Sequence, residues 1–433
     1  MIKWSGKKRR FSLRKGTVIM RRMVSRMLAA LAVGVLFFLM PGCNGAPENP
    51  SSDPNSVHGG LSEPEETDQP ELRGVWVSYM ELNTLLSGRT AQEAKTELDT
   101  LLDNCVSWHL NAVFFHVRAN SDAYYASEIF APAPAVASLL EEGFDPLSYV
   151  IEGAHQRGLQ LHAWVNPYRI GTDESYKRCD DVFECGGRYY YIPSSIKAQK
   201  LILDGVREIV DRYAVDGVQY DDYFYPSGGV PEEEPADFEQ EAFSASGMKD
   251  VGDWRRTQVD ALVRATREAV HRREGCVFGV SPAASMTSNA QTLYADVAKW
   301  TTQAGYVDYM CPQIYFGFEN SANPFDQALE SWLSLDRDPS VRLYVGLALY
   351  KAGTADDAYA GEGRTEWSEH SDILRRSAEL VRSSGLGMVF FSYRYFDPAA
   401  VGELSGENLE IAAKEVENLL SVLAAGESEN TGG

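Results

Sequence analysis

The chain has 433 residues, 44% of them hydrophobic, and a formal net charge of −22. Its apolar and aromatic content is that of a globular protein with a substantial core, long enough for one large domain or two ordinary ones. The acidity sets aside nucleic acid, teichoic acid and anionic membrane surface as partners, and suits neutral or cationic substrates.

The N-terminus reads as an address. Residues 1–26 hold ten Lys or Arg and no acid, and Met27 to Met40 is an uninterrupted apolar run. That run is shorter than the roughly 20 residues a membrane-spanning helix needs, and fits a secretory signal core. Pro41-Gly42-Cys43 follows and looks like a bacterial lipobox. Cys43 would then carry lipid and anchor an exported protein on the outer side of the cytoplasmic membrane; ordinary cleavage near Gly45-Ala46 is the alternative. Losing residues 1–42 takes the charge to −22 − 10 = −32. Asn44 to Pro70 is rich in Pro, Ser, Glu and Gly without Lys or Arg, as a disordered tether would be. The expected division is a signal peptide over 1–42, a tether over 43–70, one domain over 71–425 and a disordered tail over 426–433. Cys179 and Cys185 share a loop and could pair outside the cytosol, whereas Cys105, Cys276 and Cys311 sit in apolar contexts. No CxxC or Cys/His zinc spacing occurs, so no metal or cofactor is expected.

From Leu72 short β-rich runs alternate with amphipathic segments. The strands are expected at Arg73 to Tyr79, Ala112 to Val117, Leu159 to Val165 and Val215 to Tyr220, then at Cys276 to Val280, Val307 to Ile314, Arg342 to Leu347 and Met388 to Tyr393. Helices are expected between them, over Ala91 to Trp108, Pro146 to Arg157, Ile196 to Tyr213, Asp250 to Arg273, Thr292 to Gln303, Pro324 to Leu335 and Glu369 to Ser384, with a last one from Glu407 to Ala424. Eight strand-then-helix units in this length predict an α/β fold, a single-domain (β/α)8 TIM barrel with loop insertions. An open doubly wound sheet is disfavoured, since no glycine-rich phosphate turn follows the first strand.

Active sites of such barrels lie at the C-terminal strand ends. Those positions here hold Ser78, Tyr79 and Glu81; His116, Arg118 and Asp122; His162, Trp164, Asn166, Tyr168 and Arg169; Asp221, Asp222 and Tyr223; then Asp308, Gln313 and Tyr315, and finally Tyr393. Carboxylates, amides and rings together describe a carbohydrate groove, in which acids move protons and rings stack on sugar faces. Plainer readings stand beside these: Arg118 and Arg169 as neutralisers of the aspartates, His162 and Trp164 as core, and Asp308 as a brace.

Several motifs carry a resemblance. They include Glu71 to Glu81 (ELRGVWVSYME), Asp122 to Tyr125, Gly158 to Arg169 (GLQLHAWVNPYR), Val215 to Pro226 (VDGVQYDDYFYP) and Val307 to Phe318 (VDYMCPQIYFGF). Over nearly all of Glu71 to Tyr393 the chain resembles the glycosyl-hydrolase-10-like lipoproteins of bacterial envelopes. The resemblance implies glycoside hydrolysis, with similar proteins acting on peptidoglycan strands stripped of stem peptides. It departs at His116, where Gln is more usual, and at Gln219, where His is common. On this reading Asp222 is the first choice for catalysis, Asp221 orients it or raises its pKa, and Glu81 is the candidate second carboxylate. Arg118, Asp122, His162, Trp164, Asn166, Tyr168, Arg169, Tyr223, Gln313, Tyr315 and Tyr393 are candidate substrate contacts. The alternatives are a glycan-binding lipoprotein without turnover, or a metal-dependent deacetylase using His116, His162 and Asp221.

Overall fold

The structure is a computed structural model that describes residues 71–222 and 224–430. Cys43 and Tyr223 lie outside the described residues, as do the leader and the tether.

Eight parallel strands close into one barrel in sequence order. They are β1 Arg73–Val77, β2 Ala112–Arg118, β3 Gln160–Val165, β4 Gly217–Tyr220, β5 Val277–Val280, β6 Tyr309–Met310, β7 Arg342–Leu347 and β8 Gly387–Phe391. Closure is made by β1 against β8, with Arg73 opposite Met388 and Trp76 opposite Phe391. Both faces of each strand are covered, which is why the strands read as near-continuous apolar runs. Outward residues such as Val75, Val113, Leu161, Val218 and Phe278 join the main core, while Trp76, Phe114, Trp164, Tyr309, Cys311 and Val389 fill the barrel interior. Two strand glycines make room for that filling. A Cβ at Gly217 would fall on the His162 ring, and one at Gly279 on the Tyr309 ring.

Among the helices around the barrel are α1 Tyr79–Leu86, α2 Ala91–Ser107, α3 Pro146–Gln156, α4 Ile196–Arg212, α5 Val251–Val270, α6 Val297–Thr302, α7 Phe325–Leu333, α8 Ile373–Ser383 and α9 Glu407–Asn430. Helix α2 starts at a Thr90 cap reciprocated by Glu93 and buries Leu98, Leu101, Leu102 and Cys105 at helical spacing. Asp145 caps α3 and Pro146 fills its first turn; Gly158, at φ +72, follows where the chain turns into β3.

Three elements differ from expectation. The first strand stops at Val77, because Ser78 and Glu81 start α1 instead. The sixth strand is only two residues long, since Pro312 has no N–H to continue the ladder. The long loop after β3 contains a three-stranded antiparallel sheet of Arg169–Gly171, Val182–Cys185 and Arg188–Tyr191. Cys179 and Cys185 in this insertion are free, half-buried thiols, and Cys105, Cys276 and Cys311 are buried ones.

The N-terminal end of the barrel repeats one device. The side chain of the residue before an even-numbered strand accepts from a backbone N–H at the start of the neighbouring odd-numbered strand. Asn111 accepts from Arg73 N, Asp216 from Leu161 N and Asp308 from Phe278 N, each at 2.7 Å. His155 and His271 approach the two aspartates at 2.9 and 2.8 Å. Asp308 is therefore a brace at the end opposite the strand termini that carry the site.

Candidate active site

Alternation along β4 points Gly217 and Gln219 into the barrel, and Asp221 continues that face just beyond Tyr220. Gln219 accepts a hydrogen bond from Trp76 Nε1 across the barrel at 2.6 Å. Above it Asp221 is buried, and its Oδ1 accepts from Gln313 Nε2 at 3.0 Å and from the Asp222 backbone N–H at 2.9 Å. Asp222 is half-buried beside it.

Burial raises the pKa of both carboxyls. The two are then pushed apart. The donors on Asp221, with the charge of Arg169, favour its ionised form. Asp222 is driven well above the ordinary range, by burial first and then by the negative charge of Asp221. Like charges this close cannot both ionise cheaply, so the pair titrates in two steps, with Asp222 the carboxyl pushed further up. The arrangement holds one carboxylate and one carboxylic acid side by side.

Aromatic rings surround the pair. Phe391 is the central one, with ring centroids 6.2 Å from Trp76, 6.4 Å from Trp164, 6.0 Å from Tyr315 and 5.9 Å from Tyr350. Burial first pushes up the pKa of the Tyr315 hydroxyl, and the charge of Asp221 adds to that. Trp164 stacks flat on His116, 3.6 Å between centroids at 11°. Burial holds His116 neutral, and the Arg169 charge adds to that. Arg169 lies over the Tyr79 ring at 5.9 Å and also bears on the buried Asp122. Trp164 Nε1 and Asn166 Oδ1 are buried with no protein partner, although Asn166 Nδ2 donates to Ala119 O.

The structure thus brings Asp221, Asp222, Gln313, Tyr315, Arg169, Asp122, Trp164 and Asn166 to the C-terminal end of the barrel. Five other candidates are engaged in the packing and hydrogen bonding of the fold. Arg118 leaves the barrel interior: a bulge between His116 and Arg118 sets it opposite Val165, on the outward face. Its guanidinium is buried over Phe130 at 4.5 Å and donates to Pro167 O. His162 sits deeper in the barrel, between Phe114 and Tyr309, with its pKa pushed down to about 4 by burial. Tyr168 is fully buried in the outer core. Tyr393 packs on Trp108, and its hydroxyl accepts from Asn104 of α2. Glu81 is buried with its carboxylate already engaged: Oε2 accepts from Ser78 N at 2.5 Å, and Oε1 from Ser392 Oγ at 2.7 Å and Arg394 N at 2.9 Å.

Phe391 escaped the sequence reading. Its signal was the period-two alternation of β8, in which Val389 and Phe391 share the inward face. Cavities of about 580 and 410 Å³ lie away from this site, lined by residues such as His155 and Tyr213, and His271 and Tyr344. Among the described residues no group of three or more His, Cys, Asp or Glu is placed to hold a metal ion, and His116, His162 and Asp221 do not form one.

Known proteins resemble this chain in sequence and in fold. The sequence profile of the family described as Glycosyl hydrolase-like 10 matches residues 71–360. Glycosyl hydrolase YngK of Bacillus subtilis (strain 168) is 31% identical over 351 residues, spanning 72% of this chain and 67% of that protein. Glycosyl hydrolase DigH of Escherichia coli (strain K12) is 28% identical over 375 residues, spanning 76% and 83%. The glycoside hydrolase domain of PgaB (BpsB) from Bordetella bronchiseptica superposes with a TM-score of 0.54 at 15% identity, over 82% of this chain and 99% of that one. That last likeness is one of fold.

Proposed function

We propose, on the premise that this chain belongs to the glycosyl hydrolase-like 10 family and is a glycoside hydrolase acting on a glycan, that it cleaves N-acetylated glycan strands of the peptidoglycan type, stripped of stem peptides. The observation that carries the reading is the adjacent pair Asp221 and Asp222 in a ring-lined barrel mouth, with Asp221 held by Gln313 and the Asp222 carboxyl pushed well above the ordinary range by burial and its neighbour's charge.

Asp222 is the general acid, giving its proton to the glycosidic oxygen as the bond to the anomeric carbon breaks. A direct carboxylate mechanism needs a second carboxyl about 5–5.5 Å away for retention or about 6.5–9.5 Å for inversion. Glu81 is the weaker candidate for that role, since three donors already hold it. The substrate's own acetamido oxygen then attacks the anomeric carbon, and Asp221 holds the acetamido N–H while positive charge develops there. Water opens the resulting ring, its oxygen bonding to the anomeric carbon and one proton returning to Asp222. Tyr315 supports the acetamido group. Trp164 and Phe391 form the apolar floor, and Asn166, Arg169, Asp122 and Tyr223 contact hydroxyls.

The protein works outside the cytoplasmic membrane, tethered by lipid on Cys43 through residues 44–70. Among the described residues, which do not include the apolar run Met27 to Met40, no helix is long and apolar enough to cross a membrane. Fatty-acid labelling of the full chain tests it: label should attach to the native protein and not to Cys43→Ser, and equal labelling of both removes the anchor.

The activity is tested by incubating the protein with amidase-stripped peptidoglycan strands and a panel of other glycans, with products sized by mass spectrometry. Shortened N-acetylated products from the native protein, absent with Asp222→Asn, are expected. Cleavage confined to glycans without acetamido groups overturns the substrate and the acetamido step. No cleavage of any glycan overturns the catalytic assignment.

A further inference from the structure

The segment from Asp222 to Glu239 carries the proposed acid, and its regular backbone bonding is sparse. Phe224 N bonds to Asp222 O, Tyr225 N to Leu293 O, Gly229 N to Pro226 O and Glu239 N to Ala236 O. Yet one buried ion pair gathers this loop from within. Glu239 and Arg255 are both 0% exposed and in direct contact. Glu239 closes the far end of the loop, accepting from Tyr225 Oη at 3.2 Å and from Ala236 N at 3.0 Å. Arg255, on α5, donates from Nε to Glu239 at 2.9 Å. Its Nη1 donates to Pro231 O at 2.6 Å and to Tyr294 Oη at 2.7 Å, and its Nη2 to Glu234 O at 3.2 Å. Its plane also faces the Tyr294 ring at 4.7 Å and the Tyr225 ring at 5.7 Å. With the second Nη2 donor on Glu239, every donor of the fork is used, four on the loop residues Pro231, Glu234 and Glu239 and one on Tyr294. From outside, Phe183 of the inserted sheet stacks on Phe238 at 4.0 Å.

We infer that Arg255 and Glu239 are positioning residues for hydrolysis: they fix the loop after β4 in one conformation and so hold Asp222 over the scissile bond. The physical case is that a wholly buried ion pair is costly unless its geometry is complete, and what such a pair supplies is one defined arrangement. A merely stabilising core would be served by apolar side chains in the same space. The pair is wholly buried, so its effect reaches the chemistry through Tyr225 and the two residues between it and Asp222. The inference rests on the glycan-cleaving role of Asp222 proposed above.

The test uses the full chain with Arg255→Lys, Glu239→Gln and Tyr294→Phe, beside the exposed pair variant Asp356→Asn as control. Rates on the best glycan found for the native protein are measured across pH, with melting temperature and tryptic nicking of 226–238. Arg255→Lys keeps the charge and loses the fork, so kcat should fall by about 10- to 100-fold with KM changed much less, because the reacting geometry and not the sugar contacts is disturbed. The alkaline limb of the profile should move with it, and nicking should rise. Tyr294→Phe removes one of these bonds and should show a smaller effect of the same kind. Folded variants with unchanged kcat and pH profile overturn the positioning role. If Arg255→Lys and Glu239→Gln do not fold, a Tyr294→Phe protein with native kcat and nicking overturns it alone. An inactive native protein overturns instead the catalytic role of Asp222.

Discussion

Gln313 and Asp221 are 92 residues apart in the chain and meet at 3.0 Å, while the same Gln313 amide donates to Ser281 O, also at 3.0 Å. One side chain thus ties the segments beyond β4, β5 and β6 together at the aspartates. Its donation to Asp221 favours the charged form of that carboxyl. Gln313→Leu removes the donor and strands a buried acceptor. A hydrogen bond to a charged group contributes about 1.5–3 kcal/mol, so kcat should fall by roughly 10- to 100-fold. Steady-state rates on a cleaved glycan check this, and a variant within twofold of native would show that Asp221 needs no such support.

The pH profile follows from the same pair. Asp222 must be protonated to act, so the rate falls as pH rises through its raised pKa. The Asp221 charge is one cause of that rise. In Asp221→Asn the charge is gone, and the Asp222 pKa falls. Residual activity of this variant should therefore lose its alkaline limb at lower pH than the native enzyme. An unmoved or upward-shifted limb would mean that some other group titrates there.

The barrel and the aspartate pair were legible because they rest on local, periodic signals. Eight alternating apolar runs mark the strands, and Asp221 follows the inward phase of β4. The errors have equally local causes. Arg118 stands two residues past the inward His116, so alternation alone points it into the barrel, and one extra residue at the bulge reverses it. Ser78-Tyr-Met-Glu81 was read as a strand end, although Ser followed three residues later by Glu is a helix-start signature. Asp308 was counted with the strand ends when it precedes its strand. Tyr393 lay beyond reach, since its partners Asn104 and Trp108 are set by how α2 packs, which no window of sequence around Tyr393 contains.

Glu81 separates structural from catalytic carboxylates. It fastens the start of α1 to the segment after β8 through Ser392 and Arg394. Glu81→Gln keeps one acceptor oxygen and turns an NH2 group toward donors, leaving at least one buried N–H or O–H unsatisfied. The cost should be about 1–3 kcal/mol of stability. Melting and denaturant curves should show that loss, while the rate per folded molecule stays within a few-fold of native. A full-stability variant with abolished turnover would reverse the assignment and restore Glu81 as the second carboxylate.

Asp222 also predicts a pH-dependent strain in the fold. Its native pKa lies well above the ordinary aspartate value of 3.8, so between the two the native state binds more protons than the unfolded chain. Stability therefore falls as pH rises through that window. The stabilising contribution is complete below 3.8 and is lost on passing the raised native pKa. Asn at this position cannot ionise, and so escapes the fall. The melting temperature of Asp222→Asn minus that of the native protein should rise steadily from acid toward alkaline pH. Whatever constant cost the amide adds moves both ends of the series alike, so the slope of the difference is the quantity to read. Parallel curves from pH 4 to pH 8 would place the Asp222 carboxyl in an ordinary, water-like environment, and the general-acid role would lose its physical basis.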